Sequence, residues 1–306
     1  MYFSTSLTNF CSSASIESPL PKTFSRPLGA GAAQSVDRRL AFNGSYCGWS
    51  ATQSSIMALN THQSAAMVKL GCKNATSVSM FIGGIAGMER VMQSDVEPPY
   101  LSLLTGPPGS MKTAFALSLI SNHLRRTGEF GLYCTVEEPV ESLLRTCQSM
   151  GIELPPNLQI TDFTALRADN ESMDYLKFTK KMIDHFKQQR GPSFTCFILD
   201  SLGAIYSLTT VNEEMRKRMF GFFDYLRKQD LYTFIITERQ QGEYAELEGN
   251  EGFLADAIIN LGLDRRNGKI VRTLQFEKMR HIRHSMEKQA IDIAPGGVTI
   301  MGPLFD

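Results

Sequence analysis

The sequence predicts an α/β fold, a mostly parallel sheet flanked by helices with an antiparallel extension at its C-terminal end. Two observations carry this. From about residue 79 onward, short and nearly continuous apolar runs alternate with longer amphipathic stretches, the pattern of strands buried on both faces by crossover helices. The final apolar runs then follow one another with no helical stretch between them. No segment repeats, so residues 79–306 read as one domain and not as a tandem pair.

The elements follow in order. Residues 100–105 (YLSLLT) read as a buried strand that ends at a glycine-rich segment, and 112–126 carry apolar residues at helical spacing. Residues 130–136 form a second strand and 139–150 a second helix; 158–163 is a short strand, followed by an amphipathic helix over 173–188. The run 194–200 (FTCFILD) is a strand closed by an acid, 213–228 is helical, and 231–237 (LYTFIIT) is another buried strand. Strands over 257–263, 271–277 and 291–300 complete the sheet.

Residues 1–78 are different. They are rich in Ser, Thr, Ala and Gly, hold two acids (Glu17 and Asp37), and lack hydrophobic periodicity. Such a segment buries too little apolar surface to offset its ordering entropy, so it is expected to be low-complexity and disordered. A Ser-rich, acid-poor start also fits a transit peptide, although Arg26, Arg38 and Arg39 are few for one. Translation starting at Met57, Met67 or Met80 is a further alternative.

Apolar residues make up 42% and charged residues 20% of the chain, and formal net charge is zero. No overall field therefore draws it to nucleic acid or an anionic membrane. No stretch reaches the roughly 20 apolar residues of a membrane helix. The six cysteines form no C-x-x-C pair and read as free thiols of a cytoplasmic protein.

Gly106-Pro107-Pro108-Gly109-Ser110-Met111-Lys112-Thr113 joins the first strand to the first helix. Strand, glycine-rich turn, Lys-Thr and helix is the layout of a P-loop, in which backbone N–H groups cradle phosphates, Lys112 reaches the β and γ oxygens of ATP, and Thr113 ligates Mg2+. The usual G-x-x-x-x-G-K-S/T pattern is broken at Met111. A glycine there lets backbone approach phosphate, so a methionine side chain must point away from the ligand.

Ligands of open parallel sheets gather at the carboxyl ends of the strands. Asp200 ends an apolar run 88 residues after Lys112 and is the candidate second Mg2+ group. Glu137 and Glu138 close the second strand, one placed to activate water and the other to tune it. Thr237-Glu238-Arg239 closes the strand after Asp200, where it can sense the γ-phosphate.

Together with Glu251 to Asp256, Arg272-Thr273-Leu274, Lys278-Met279-Arg280 and His284, these motifs resemble the KaiC-like branch of the RecA superfamily over about residues 80–303. The resemblance implies a RecA-like ATPase that forms a ring, with six subunits as the expected number, and binds ATP between them. It implies that Glu137 and Glu138 are the catalytic glutamate pair, and that Lys278 and Arg280 form a K-x-R element reaching the neighbour's γ-phosphate. Arg239 and His284 would lie near the nucleotide or the subunit interface. Lys278 and Arg280 are alternate strand residues, so both point the same way; a cation supplied in trans is worth about 10³–10⁵ in rate. One such domain instead of two, and a chain ending at Asp306 with no Ser/Thr phosphorylation segment, argue against a clock role.

The expected function is slow ATP hydrolysis as a regulatory or scaffolding switch for a protein partner that the sequence does not name. One alternative is a RecA-type DNA-dependent ATPase. Its later DNA loop would be 238–251, where five glutamates face Arg239 alone and repel phosphate. The other alternative is a nucleotide-binding scaffold that hydrolyses nothing.

Overall fold

The computed structural model describes residues 79–164, 174–207, 213–239 and 251–304; the expectations for residues 1–78 and for most of the acidic 238–251 loop lie outside them. Nine strands form one sheet in the order β3-β2-β4-β5-β1-β6-β7-β8-β9. β1 (Tyr100–Gly106), β2 (Phe130–Thr135), β3 (Leu158–Asp162), β4 (Phe194–Asp200), β5 (Tyr232–Glu238) and β6 (Ala257–Arg266) are parallel. β7 (Lys269–Met279), β8 (Gln289–Ala294) and β9 (Gly297–Pro303) continue it antiparallel. The predicted fold class stands.

Helices α1 (Lys112–Thr127), α2 (Val140–Ser149), α3 (Tyr175–Arg190) and α5 (Glu213–Arg227) match the amphipathic stretches, with bounds shifted by a residue or two. Two short helices escape the periodicity reading: α4 (Leu202–Ser207) and α6 (Glu251–Leu254). Neither is long enough to show a 3.6-residue stripe. The stretch 291–300, read as one strand, is a hairpin, because Pro295-Gly296-Gly297 turns the chain between β8 and β9. The β6–β7 hairpin closes through Asn267 and Gly268, both at positive φ (48° and 74°), as a two-residue hairpin turn requires.

Strand alternation explains why the parallel runs are apolar throughout. On β4, Cys196 and Ile198 join one core, which includes Phe115, Leu119 and Leu124 of α1. Phe197 and Leu199 join the other, with Ile183 of α3 and Phe222 and Leu226 of α5. Both faces are covered, and the carboxyl ends of β1, β2, β4 and β5 all point to one edge.

The antiparallel extension packs on α1 through the shared core, with one close contact at Ser118. Ser118 Oγ donates to the Ala114 carbonyl (2.7 Å) and accepts from the Val298 N–H (3.1 Å). Gly297 has φ +113°, and a Cβ there would lie 2.2 Å from Ser118 Oγ. Gly297→Ala is therefore expected to destabilise the protein by about 2–4 kcal/mol, from backbone strain plus overpacking. Urea unfolding measures this, and a loss below about 0.5 kcal/mol would show that the β9–α1 contact yields easily.

Candidate nucleotide site

The loop begins where β1 is most enclosed. Gly106 is buried at φ +145°, and a Cβ would sit 1.9 Å from the Leu261 carbonyl oxygen of β6. Pro107 is half-buried, Pro108 and Gly109 are exposed, and Ser110 is buried. The Ser110 hydroxyl has no hydrogen-bond partner among the described residues.

Met111 is the N-cap of α1 and holds a left-handed conformation (φ 75°, ψ 31°). A non-glycine residue there is strained by about 1–2 kcal/mol. Its side chain is half-buried and packs against the apolar core, so it does turn away from the loop mouth. The glycine-like backbone is kept without the glycine. No side chain caps α1, and its first turn holds no acid. The first N–H groups of a helix have no intrahelical acceptor, so this terminus is left electropositive and open to an anion.

Lys112 is 8% exposed, and its Nζ donates to the carbonyls of Gly106 and Pro107 (both 3.0 Å). Burial holds its ammonium below the ordinary lysine range, against the opposing charges of Glu238, Asp200 and Glu137. Those three acids end β5 and β4 and follow β2, close enough for their charges to act on one ammonium.

Thr113 Oγ1 donates to Asp200 Oδ2 (2.7 Å), which also accepts from the Tyr133 hydroxyl (2.5 Å). Burial pushes the Asp200 carboxyl above the ordinary carboxylate range. Tyr133, Thr113 and Lys112 hold it down, and Glu138 adds to the rise. Among the described residues no cluster of three His, Cys, Asp or Glu could hold a metal. Mg2+ needs none, because it keeps waters and takes one or two protein oxygens beside substrate phosphates. Thr113 Oγ1 and Asp200 Oδ2 form such a pair, and the residues fit the ion.

Glu137 and Glu138 are placed differently from the expectation. Both lie beyond the end of β2, in a bend, so strand alternation does not divide them. They separate through local contacts instead. Glu137 Oε1 accepts from Ser201 Oγ at 3.4 Å, whereas the Glu138 backbone closes a turn on Thr135 Oγ1 and its charge acts on Asp200 and Cys147.

The remaining candidates fall in two places. The Arg239 N–H donates to the Gly106 carbonyl (3.1 Å) and its guanidinium pairs with Glu277 (2.7 Å), which also accepts from Asn260 (2.9 Å). Glu238 ends β5 exposed. Lys278 Nζ donates to the carbonyls of Gly252 and Ala255 (both 2.8 Å); Arg280 contacts the Phe253 carbonyl (3.1 Å) and Asp256 (3.2 Å). The two cations do point the same way, onto one segment of their own chain. Burial and the Arg280 charge hold Lys278 below its ordinary range. His284 packs edge-on to Phe276 and bridges to Met92, and no contact joins it to the loop among the described residues. Sequence reasoning missed Tyr133, Asn260 and Glu277, whose partners are distant in sequence; a polar tip within the apolar run of β2 was the one available signal.

A strand, a glycine-rich loop, a helix opened by Lys-Thr and an acid-ended strand two places away define a P-loop domain of the RecA superfamily. The family model described as "ATPase: KaiC" matches residues 82–304, and the chain belongs to that KaiC ATPase family. It is 24% identical over 230 residues to the circadian clock oscillator protein KaiC of Parathermosynechococcus lividus, covering 71% of this chain and 41% of that protein. It is also 24% identical over 231 residues to UPF0273 protein PH0284 of Pyrococcus horikoshii, covering 71% of this chain and 92% of that one. The chain thus spans less than half the length of the clock protein and nearly all of the archaeal one. Its fold matches the crystal structure of a KaiC-like protein, PH0186, from Pyrococcus horikoshii OT3, with a TM-score of 0.58, 23% identity, and coverage of 73% of this chain and 97% of that one.

The raised Asp200 gives a signed pH effect. A carboxyl whose folded pKa is raised adds stability that is complete below its unfolded value and lost as pH rises through the folded value. Asp200→Asn keeps an acceptor oxygen and removes the buried charge. Without nucleotide at about pH 8, the variant should melt no lower than the natural protein, and its Mg2+-dependent stabilisation by ATP should be lost. Thermal melts from about pH 4 to 8 test this; a variant that melts lower at pH 8 and still responds to Mg-ATP contradicts it.

Proposed function

We propose that this protein binds Mg-ATP at Gly106–Thr113 and hydrolyses it slowly between the subunits of a ring, its nucleotide state setting assembly or contacts with a protein partner. The single observation that supports this best is the contact of Thr113 with Asp200, beside Lys112 and within the field of Glu137. Family membership supports the ATPase class, and no described helix is long and apolar enough to cross a membrane. Cys134, Cys147 and Cys196 are free and buried, which supports a cytoplasmic protein in a reducing compartment.

In this reading the first-turn N–H groups of α1 and Lys112 bind the triphosphate, with Lys112 exchanging the Gly106 and Pro107 carbonyls for phosphate oxygens. Thr113 and Asp200 hold Mg2+, which when bound neutralises phosphate charge. Glu137 accepts the proton of the attacking water, oriented by Ser201, while Glu138 tunes the field at Asp200. Arg239, fixed by Glu277, stands at the γ end of the loop. Lys278 and Arg280 leave the 252–256 segment to stabilise charge on the neighbour's transferring phosphoryl group. His284 is assigned to the subunit interface.

Two variants test the division of roles. Glu137→Gln should keep Mg-ATP binding and lose about 10²–10⁴ in turnover. Lys278→Ala with Arg280→Ala should also keep binding and lose about 10³-fold or more. Steady-state phosphate release, read beside calorimetric binding and solution mass, measures all three properties. Unchanged turnover in either variant removes that role, and a natural protein that binds ATP with no turnover is a scaffold instead.

A further inference from the structure

We propose that Tyr206 and Glu251 are positioning residues that set the in-trans cations Lys278 and Arg280, joining the site of one subunit to the site it serves next door. The inference rests on the ring-ATPase reading above. It begins with a buried carboxylate that the mechanism does not use: Glu251 is 2% exposed and accepts a hydrogen bond from the Tyr206 hydroxyl. Burying an acid is costly unless it is well partnered, and this one ties two short helices together.

Each helix leads to a different site. α4 starts directly after Asp200-Ser201, and Ser201 Oγ accepts from the Ala204 N–H (3.2 Å) while donating to Glu137 (3.4 Å). The N-terminal end of α4 is thereby fixed to the acid assigned to water activation. Glu251 opens α6, and the carbonyls of that segment are held by cations from two other elements. Lys278 takes Gly252 and Ala255, Arg280 takes Phe253, and Arg227 of α5 takes Leu254. Asp256 adds ion pairs to Arg280 and Arg227 (3.2 and 4.0 Å) and accepts from the Leu101 N–H on β1 (3.1 Å).

A path of hydrogen bonds joined by short stretches of backbone thus runs from Glu137 through Ser201, α4, Tyr206, Glu251 and α6 to Lys278. In this proposal a displacement at the Asp200–Ser201 end moves α4, and Tyr206 passes it to the segment that holds both cations until they are released to the neighbouring site. Coupling between sites needs such a physical element whose position both sites bias.

The test uses full-length protein. Tyr206→Phe removes only the hydroxyl and is expected to lower kcat by about tenfold to hundredfold, with KM and Mg-ATP affinity within about twofold. Glu251→Gln keeps the acceptor oxygen and should retain most of kcat, while Glu251→Ala should fall to the Tyr206→Phe level. The decisive arm co-expresses Tyr206→Phe chains with Glu137→Gln chains and co-purifies them through separate tags. Each poor variant supplies what the other lacks, so turnover per Tyr206→Phe chain should rise several-fold. If the natural protein hydrolyses ATP and the mixed assemblies show no rise, the positioning role is overturned. If the natural protein does not hydrolyse ATP, the ring-ATPase reading fails, and this inference with it.

Discussion

The candidate site depends on one contact, the 2.7 Å hydrogen bond between Thr113 Oγ1 and Asp200 Oδ2. β4 and β1 are not neighbours; β5 lies between them. The contact therefore ties the first turn of α1 to a strand two places away, across the carboxyl edge of the sheet. Tyr133 approaches the same oxygen from β2. Two strands and a helix terminus meet at one carboxylate, and burial raises its pKa because little water reaches it. In the proposed function this carboxylate exchanges its hydroxyl partners for a divalent cation, whose charge would compensate for the burial.

The second constraint is backbone shape. A P-loop works through N–H groups, so what matters at position 111 is the left-handed turn and not the absence of a side chain. Met111 adopts that turn and packs its half-buried side chain against the core. Part of the strain is offset by apolar packing, which glycine could not provide. The departure from the usual motif thus lies in how the left-handed conformation is stabilised. Lys112, held by two loop carbonyls and surrounded by three acids, is the cation that this turn delivers.

Much of this was legible in the sequence because it is local. The β1–loop–α1 unit is contiguous, Asp200 closes an unbroken apolar run, and Lys278 and Arg280 are two residues apart, although β7 ends at Met279 and only Lys278 lies on the strand. What stayed hidden depends on contacts between distant residues. Tyr133, Asn260 and Glu277 acquire meaning only when β2, β6 and β7 are placed beside their partners. The short helices α4 and α6 carry too few residues for a period, and the β8–β9 turn was masked by apolar residues on both sides of Pro295-Gly296. The sequence places Glu137 and Glu138 at the close of a strand whose ladder ends at Thr135, because an apolar run does not mark its own last hydrogen bond. Lys278 and Arg280 were read by their direction alone, and the 252–256 carbonyls they rest on lie more than 20 residues away in sequence.

The central claim is that the loop binds the triphosphate with methionine in place of its second glycine, because the methionine supplies the same backbone. Titration calorimetry of Mg-ATP with the natural protein and with Met111→Gly tests it most directly. The account predicts one site per chain and affinities within about threefold of each other, a difference below about 0.7 kcal/mol. A natural protein that fails to bind, with binding gained only in Met111→Gly, would contradict it.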